Sequence, residues 1–197
     1  RGDRIYLTAK LHSDPVVQQL ARLEPPLGEV LDVACGRGQL SILLVELGLA
    51  TRFTGLDWDR RKVEVCQVAA GEDGRAIVAD ATRAELAPVD TVLIIDALHY
   101  LAREERRALL ERAAAALRPG GRLVIRELDP KRGLRSRIAQ WAERVGSRVG
   151  MNRGAVCEWV DPAALSAEVA ALGLSPRLVP HPDDKPSPNY LLIADKA

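Results

Sequence analysis

Short apolar, β-rich runs alternate with helical patterns along almost the whole chain. That alternation constrains the fold more than any other feature. Glu29–Ala34 (EVLDVA) reads as a short buried strand, and Gly38–Leu47 as an apolar helix. Thr51–Leu56 follows as a strand, Asp59–Ala70 as an amphipathic helix opened by Asp59, and Arg75–Ala79 as a short strand. Thr91–Ile95 (TVLII) is the most strand-like run. Arg103–Leu117 is a strong helix that Arg118-Pro119-Gly120-Gly121 stops. Arg122–Arg126 is the next strand. Asp161-Pro162 starts a helix to Leu172, stopped by Gly173, and Leu174–Val179 and Tyr190–Ala194 are closing strands. Upstream, Ser13-Asp14-Pro15 starts a first helix, with a capping side chain and a proline whose missing N–H costs nothing there.

Strands that alternate with helices imply a mostly parallel sheet covered on both faces. Right-handed crossovers then make it doubly wound. The expected fold is a single α/β domain over residues 1–197, with residues 1–26 as an N-terminal helical segment. A chain of 197 residues fits the usual allowance of roughly 100–200 residues per domain. Residues 129–160 form a looser, Arg-rich insertion.

Ligands of such sheets bind beyond the carboxyl ends of the strands, near the point where strand order reverses. The residues that follow the strands are therefore the candidates. They are Cys35-Gly36-Arg37-Gly38, Asp57-Trp58, Asp80-Ala81, Asp96-Ala97-Leu98-His99 and Glu127-Leu128-Asp129. An acidic residue at any one strand end can equally be a helix cap. The glycine turn lacks the Lys of a phosphate loop and the third glycine of a dinucleotide fingerprint; Ser41 stands where a third small residue would sit. Taken alone, Gly36 and Gly38 could simply make a tight turn.

Composition removes several classes. Lys+Arg 28 against Asp+Glu 27 leaves a charge of +1, so no global field attracts nucleic acid or an acidic membrane. Aromatics at 4% provide few stacking platforms for single strands. The three cysteines, Cys35, Cys66 and Cys157, form no CxxC, which fits a reducing cytosol and a cytoplasmic protein. No Cys/His pairing points to zinc, and no metal is expected. No uninterrupted run of about 18 apolar residues occurs, so no membrane span is expected.

The stretch Leu31-Asp32-Val33-Ala34-Cys35-Gly36-Arg37-Gly38 resembles the first motif of class I S-adenosylmethionine-dependent methyltransferases, E/D-x-G-x-G-x-G. Asp32, Gly36 and Gly38 match, and Ala34 replaces the first glycine. FTGLD (Phe53–Asp57), IVADAT (Ile77–Thr82), DTVLIIDALHYL (Asp90–Leu101), LRPGGRLVIRELD (Leu117–Asp129) and NYLLIADK (Asn189–Lys196) are similar to the later motifs, in order. The resemblance covers nearly everything beyond the first helix. It implies a Rossmann-like sheet of about seven strands with an antiparallel closing strand.

It also implies S-adenosyl-L-methionine as cofactor and S-adenosyl-L-homocysteine as product. The cofactor-binding residues it points to are Asp32, Ala34, Cys35, Gly36, Gly38, Asp57, Trp58, Asp80, Ala81, Asp96 and Ala97. Asp57 would accept both ribose hydroxyls, and Trp58 would lie flat on the adenine. Asp80 would accept from the adenine amino group, with the Ala81 N–H opposite a ring nitrogen. Gly36 and Gly38 let the backbone meet the amino-acid tail. Asp96 or the Ala97 carbonyl would meet its ammonium or line the sulfonium, and Asp32 would orient the turn by bonding backbone N–H groups. Arg4, Tyr6 and Lys10 could reach the tail carboxylate or could be ordinary exposed polar residues.

Methyl transfer needs alignment in a dry site and, for an acidic acceptor proton, a base. His99 is the best candidate, with Tyr100 second; the plainer alternative is a His packed at a helix start. The N/D-P-P-Y motif of amino-group methyltransferases is absent, since Asp96-Ala97-Leu98-His99 stands in its place. Glu127 and Asp129 form a possible metal pair, with pairing to Arg126 or Arg122 as the blander reading. The insertion at 129–160 lies where this family places an acceptor lid. Arg126, Arg135 and Arg137 are its expected contacts to an anionic small-molecule substrate, against the alternative of a solvated helix face. The readings kept open are an RNA or protein methyltransferase working with a partner, and a non-catalytic S-adenosylmethionine-binding module. Oligomeric state is not readable from the sequence.

Overall fold

The computed structural model describes residues 16–24, 26–131, 158–179 and 189–197. After helix α1 (Val16–Leu20) the elements run β1 (Glu29–Val33), α2 (Gln39–Glu46), β2 (Arg52–Asp57), α3 (Arg60–Ala69), β3 (Gly74–Val78) and β4 (Val89–Ile95). A single 3₁₀ turn (Leu98–Tyr100) leads to α4 (Arg103–Ala116), β5 (Leu117–Leu128), α5 (Pro162–Ala170), β6 (Leu174–Val179) and β7 (Asn189–Lys196). Each predicted strand falls within a few residues of an observed one, except that β5 begins earlier. Its ladder with β4 pairs Val89 with Leu117 and then Thr91 with Arg122, so Arg118–Gly121 bulge out between them.

The sheet has seven strands in the order β3-β2-β1-β4-β5-β7-β6. β1 pairs in parallel with both β2 and β4, so strand order reverses between β1 and β4. β7 runs antiparallel to both β5 and β6. The expected doubly wound sheet with an antiparallel closing strand is therefore what the chain forms.

Strand side chains alternate between faces, and here both faces are buried, which explains the nearly continuous apolar runs. Leu31, Val92, Ile94, Leu123, Ile125 and Leu192 face one core with Leu109, Leu110 and Leu165. Val30, Leu93, Val124, Leu191 and Ile193 face the other with Leu20, Leu44, Phe53 and Cys66. Two predicted caps hold: Asp59 accepts from Arg61 N–H at 3.0 Å, and Asp161 accepts from Ala163 N–H at 3.0 Å with Pro162 behind it. Lys196 closes α4 by donating to the Ala114 and Leu117 carbonyls at 2.9 and 2.7 Å, where a cation also suits the negative end of a helix. Parallel pairing brings the loops after β1, β2, β3 and β4 to one edge of the sheet, and there the site forms.

Candidate active site

The turn after β1 is the centre of that edge. Ala34, Gly36 and Gly38 all have positive φ, at 62, 59 and 71°. The two glycines do different work. A Cβ on Gly38 would sit 2.2 Å from Cys66 Sγ, so the turn is packed directly on α3. A Cβ on Gly36 would meet nothing within 4 Å. The open space lies on the Gly36 side, where the resemblance places the cofactor's amino-acid tail. Such a cradle, bare backbone with an acid beside it, suits that group. Ala34 carries the left-handed backbone that the family's glycine takes freely.

Asp57, at the end of β2, holds the turn. Its Oδ2 accepts from Gly36 N–H at 2.8 Å and its Oδ1 from Asp59 N–H at 2.9 Å. Cys35 N–H donates to the Leu56 carbonyl at 3.0 Å and Gly38 N–H to the Cys35 carbonyl at 2.9 Å. Asp32 was expected to bind turn N–H groups, and this is corrected. Those of Cys35, Gly36 and Gly38 already have acceptors, and Asp32 accepts instead from the Ser41 hydroxyl in α2 at 2.6 Å. Burial pushes the Asp32 carboxyl up to about 7, against the pull of the Ser41 hydrogen bond.

On the far side of Asp57, Trp58 is 43% exposed, an unusual state for the largest side chain and one that leaves its face available to a flat ligand. Asp80 turns one oxygen onto Thr82, accepting from its N–H at 3.0 Å and its hydroxyl at 2.6 Å. Arg112 from α4 pins this loop by donating to the Ala81 carbonyl at 2.6 Å and the Ala84 carbonyl at 2.8 Å. Sequence reading missed Arg112, because nothing local links a helix arginine to a loop about thirty residues upstream.

The ends of β4 and β5 carry two pairs. Asp96, at φ 54°, takes a two-pronged ion pair from Arg126, with Nε donating to Oδ1 at 3.0 Å and Nη2 to Oδ2. Arg126 is buried, so its guanidinium is committed to Asp96 rather than presented on the surface. Glu127, the next residue, points to the other face. Its Oε1 accepts from Leu98 N–H at 2.6 Å and its Oε2 lies 2.7 Å from His99 Nδ1. The expected pairing of Glu127 with Arg126 or Arg122 is thus corrected. Neighbours on a strand face opposite ways, and Arg122 lies five residues back along β5, where its Nη2 donates to the Glu24 carbonyl.

His99 is buried and stacked on Trp159, with ring centroids 5.7 Å apart and planes 14° apart. Tyr100 packs on it at 4.0 Å, and the His99 carbonyl accepts from Glu158 N–H at 2.9 Å. The Tyr190 hydroxyl donates to the Val160 carbonyl at 3.1 Å, so β7 anchors the 158–160 segment whose Trp159 covers the histidine. Glu127 and Trp159 come from the second half of the chain, and only the tertiary fold brings them to His99. The Ala97 carbonyl accepts from Tyr100 N–H at 3.3 Å. The expected contacts Arg135 and Arg137, with Arg4, Tyr6 and Lys10, lie outside the described residues, as does most of the 129–160 insertion. Among the described residues no cluster of three or more His, Cys, Asp or Glu is arranged to hold a metal ion. Nor is any helix among them long and apolar enough to cross a membrane.

Comparison with known proteins agrees with this geometry. A family described as a methyltransferase domain matches residues 30–121, from β1 into β5. The ubiquinone biosynthesis O-methyltransferase of Xanthomonas axonopodis pv. citri is 27% identical over 160 residues, which are 78% of this chain and 65% of that protein. The enzyme of the same name from Idiomarina loihiensis is 33% identical over 107 residues, 51% of this chain and 42% of that protein. The chain thus spans less than two thirds of the length of these relatives. Among solved structures, an O-methyltransferase family protein from Burkholderia thailandensis superposes with TM-score 0.73 at 21% identity, over 98% of this chain and 58% of that one. Magnesium protoporphyrin IX methyltransferase from Synechocystis PCC 6803, solved with S-adenosylhomocysteine bound, superposes with TM-score 0.70 at 22% identity, over 96% of this chain and 84% of that one. At such identities the superpositions speak for the fold alone, and the methyltransferase-domain match speaks for residues 30–121. Residues 30–121 thus match a methyltransferase domain, and nearly the whole chain has the fold of solved methyltransferases.

Proposed function

We propose that this chain transfers a methyl group from S-adenosylmethionine to a small-molecule acceptor, with His99 as general base and Glu127 as its positioning residue. The observation that carries the proposal is the His99–Glu127 contact of 2.7 Å, at the strand ends that also form the cradle. When bound, the cofactor supplies an electrophilic methyl on a cationic sulfur, with a neutral leaving group.

The chain's own residues do the rest. Gly36 and Asp57 would hold the tail and the ribose, and Trp58 and the Asp80–Ala81 loop the adenine. Glu127, whose other oxygen accepts the Leu98 N–H, keeps the ring proton of His99 on Nδ1. That leaves Nε2 as the basic nitrogen, able to take a proton from an acceptor hydroxyl as the new bond forms. Trp159 and Tyr190 keep bulk water from the ring, which lowers the dielectric around the transfer.

The curated relatives are named for O-methylation in ubiquinone biosynthesis, so oxygen is the acceptor atom to test first. Lid arginines Arg135 and Arg137 would favour an anionic acceptor, and the reaction would take place in the cytoplasm. The test incubates the chain with labelled S-adenosylmethionine and separate metabolite, RNA and protein fractions. Label in a low-mass, anionic hydroxylated product supports the reading, and label confined to RNA or protein overturns it. Calorimetry with S-adenosylhomocysteine checks the cradle, and Asp57→Ala should abolish binding. Replacing Arg135 and Arg137 by Ala should raise the acceptor KM; an unchanged KM sinks the lid.

A further inference from the structure

We infer that Arg112 sets the nucleobase preference of the cofactor site by orienting Asp80 through the Ala81–Thr82 peptide, a role that rests on the proposed cofactor reading. It makes the loop after β3 select adenine over a base with an oxygen in place of the amino group.

Arg112 is half-buried on α4. Among the described residues its hydrogen bonds go to carbonyls. Nε donates to the Ala108 carbonyl at 3.2 Å, one turn back along its own helix. Nη1 and Nη2 reach across to the Ala84 and Ala81 carbonyls at 2.8 and 2.6 Å. The guanidinium is a rigid planar fork, so fixing Nε on the helix also fixes where the other two nitrogens point. The helix itself is seated in the core by Leu109, Leu110 and Ala113. Arg112 thus ties the position of the loop to a rigid element.

The Ala81 carbonyl and the Thr82 N–H are the two ends of one planar peptide group. Arg112 donates at the carbonyl end. Asp80 Oδ1 accepts at the N–H end, at 3.0 Å, and also takes the Thr82 hydroxyl at 2.6 Å. Hydrogen bonds at the two ends of a peptide polarise it in the same sense and strengthen one another. Arg112 therefore orients the Asp80 carboxylate without touching it. The next two N–H groups, of Arg83 and Ala84, turn back to the Asp80 carbonyl at 2.9 and 2.8 Å. Ala79 N–H donates to the Asp57 carbonyl at 2.9 Å, which ties the loop to the ribose acid. The Ala81 N–H has no acceptor among the described residues and stands beside the Asp80 carboxylate in the chain.

Adenine presents an amino donor next to a ring-nitrogen acceptor. A carboxylate that accepts and an N–H that donates match that edge. Hypoxanthine carries an oxygen and a ring N–H in the same two places, which reverses both. It would set an oxygen against Asp80 and a donor against the Ala81 N–H. A site built to pair polar groups rejects a mispaired ligand by large factors, provided those groups stay in place. Without Arg112 the Ala81–Thr82 peptide is free to rotate and the carboxylate follows it. Adenine then loses a match, while hypoxanthine loses a mismatch.

The test measures binding of S-adenosylhomocysteine and its deaminated analogue S-inosylhomocysteine to the full chain by calorimetry. Arg112→Met keeps an unbranched apolar stem, and Arg112→Lys keeps the charge but not the fork. Wild type should prefer the adenosyl ligand by at least about a hundredfold. Either variant should narrow that preference at least about tenfold, mainly through weaker S-adenosylhomocysteine binding. Equal weakening of both ligands reduces Arg112 to a support of the fold and overturns the proposal. An unchanged preference in the variants overturns it too, as does a wild type that does not discriminate. If Arg112→Met fails to fold, the preference of Arg112→Lys decides. A wild-type chain that binds neither ligand refutes the cofactor reading itself, whereas an unchanged preference in a chain that binds refutes only the role of Arg112.

Discussion

Glu127→Gln keeps the shape of a buried side chain while changing what it can accept. The carboxylate spans the Leu98 N–H at 2.6 Å and His99 Nδ1 at 2.7 Å. Glutamine has one oxygen and one amide. The Leu98 N–H can only donate, so it takes the oxygen, and the amide N–H then meets Nδ1. That contact forces Nδ1 to accept, and the ring proton moves to Nε2. A hydrogen bond to a charged group is worth about 1.5–3 kcal/mol, and the variant keeps neutral versions of both bonds, so the expected loss is about 1–2 kcal/mol. At roughly 2–4 °C per kcal/mol for a domain of this size, Tm should fall by about 2–8 °C. Activity should suffer more, because general-base catalysis contributes about 100- to 10,000-fold. We expect kcat to fall at least about a hundredfold while S-adenosylhomocysteine affinity stays within about threefold of wild type, since the cradle is untouched. Ring nitrogen NMR should report the proton on Nδ1 in wild type and on Nε2 in the variant. Near-normal kcat in a folded variant with its proton on Nε2 would refute the reasoning.

Asp32 provides a pH signature. Its folded pKa of about 7 lies above its ordinary value of 3.8, so the folded state binds the extra proton between these limits. Wild-type stability should therefore fall as pH rises from about 4 to 7, by roughly 4 kcal/mol in total, and stay level above that. Asp32→Asn can still accept from Ser41 and should remove that slope in urea titrations at pH 5 and 8; an unchanged slope places the titration elsewhere. Ala34→Gly relieves a left-handed alanine worth about 1–2 kcal/mol but adds about 0.5–1 kcal/mol of backbone entropy, so urea unfolding should show a gain of up to about 1 kcal/mol. Tyr190→Phe loses the bond to the Val160 carbonyl and should cost about 1 kcal/mol, with Trp159 fluorescence reporting a looser 158–160 segment.

The sites closest to a strand end were the most legible. Asp57 and the Gly36–Gly38 turn were legible because an acid at a strand end can accept turn N–H groups and glycine takes the positive φ that both positions have. The caps Asp59 and Asp161 were readable for the same reason, as a capping side chain acts within three residues of itself. Asp32 was misread because its partner, Ser41, is a side chain on the next helix rather than the adjoining backbone. Arg126 looked like a ligand contact because a sequence shows charge but not its partner.

Short apolar runs, capping residues and glycine stops determine the strands, the helices and the order of the loops, because each signal acts over a few neighbouring residues. They also place the acids at the strand ends. Which side chains meet across those ends is set by strand order. β4 lies between β1 and β5, and β7 inserts antiparallel between β5 and β6. That arrangement sends Glu127 to His99 and Arg126 to Asp96, and carries Trp159 and Tyr190 to the same wall. These contacts join residues about thirty to ninety positions apart, a distance over which no local propensity acts and only the packing of the assembled sheet can choose partners.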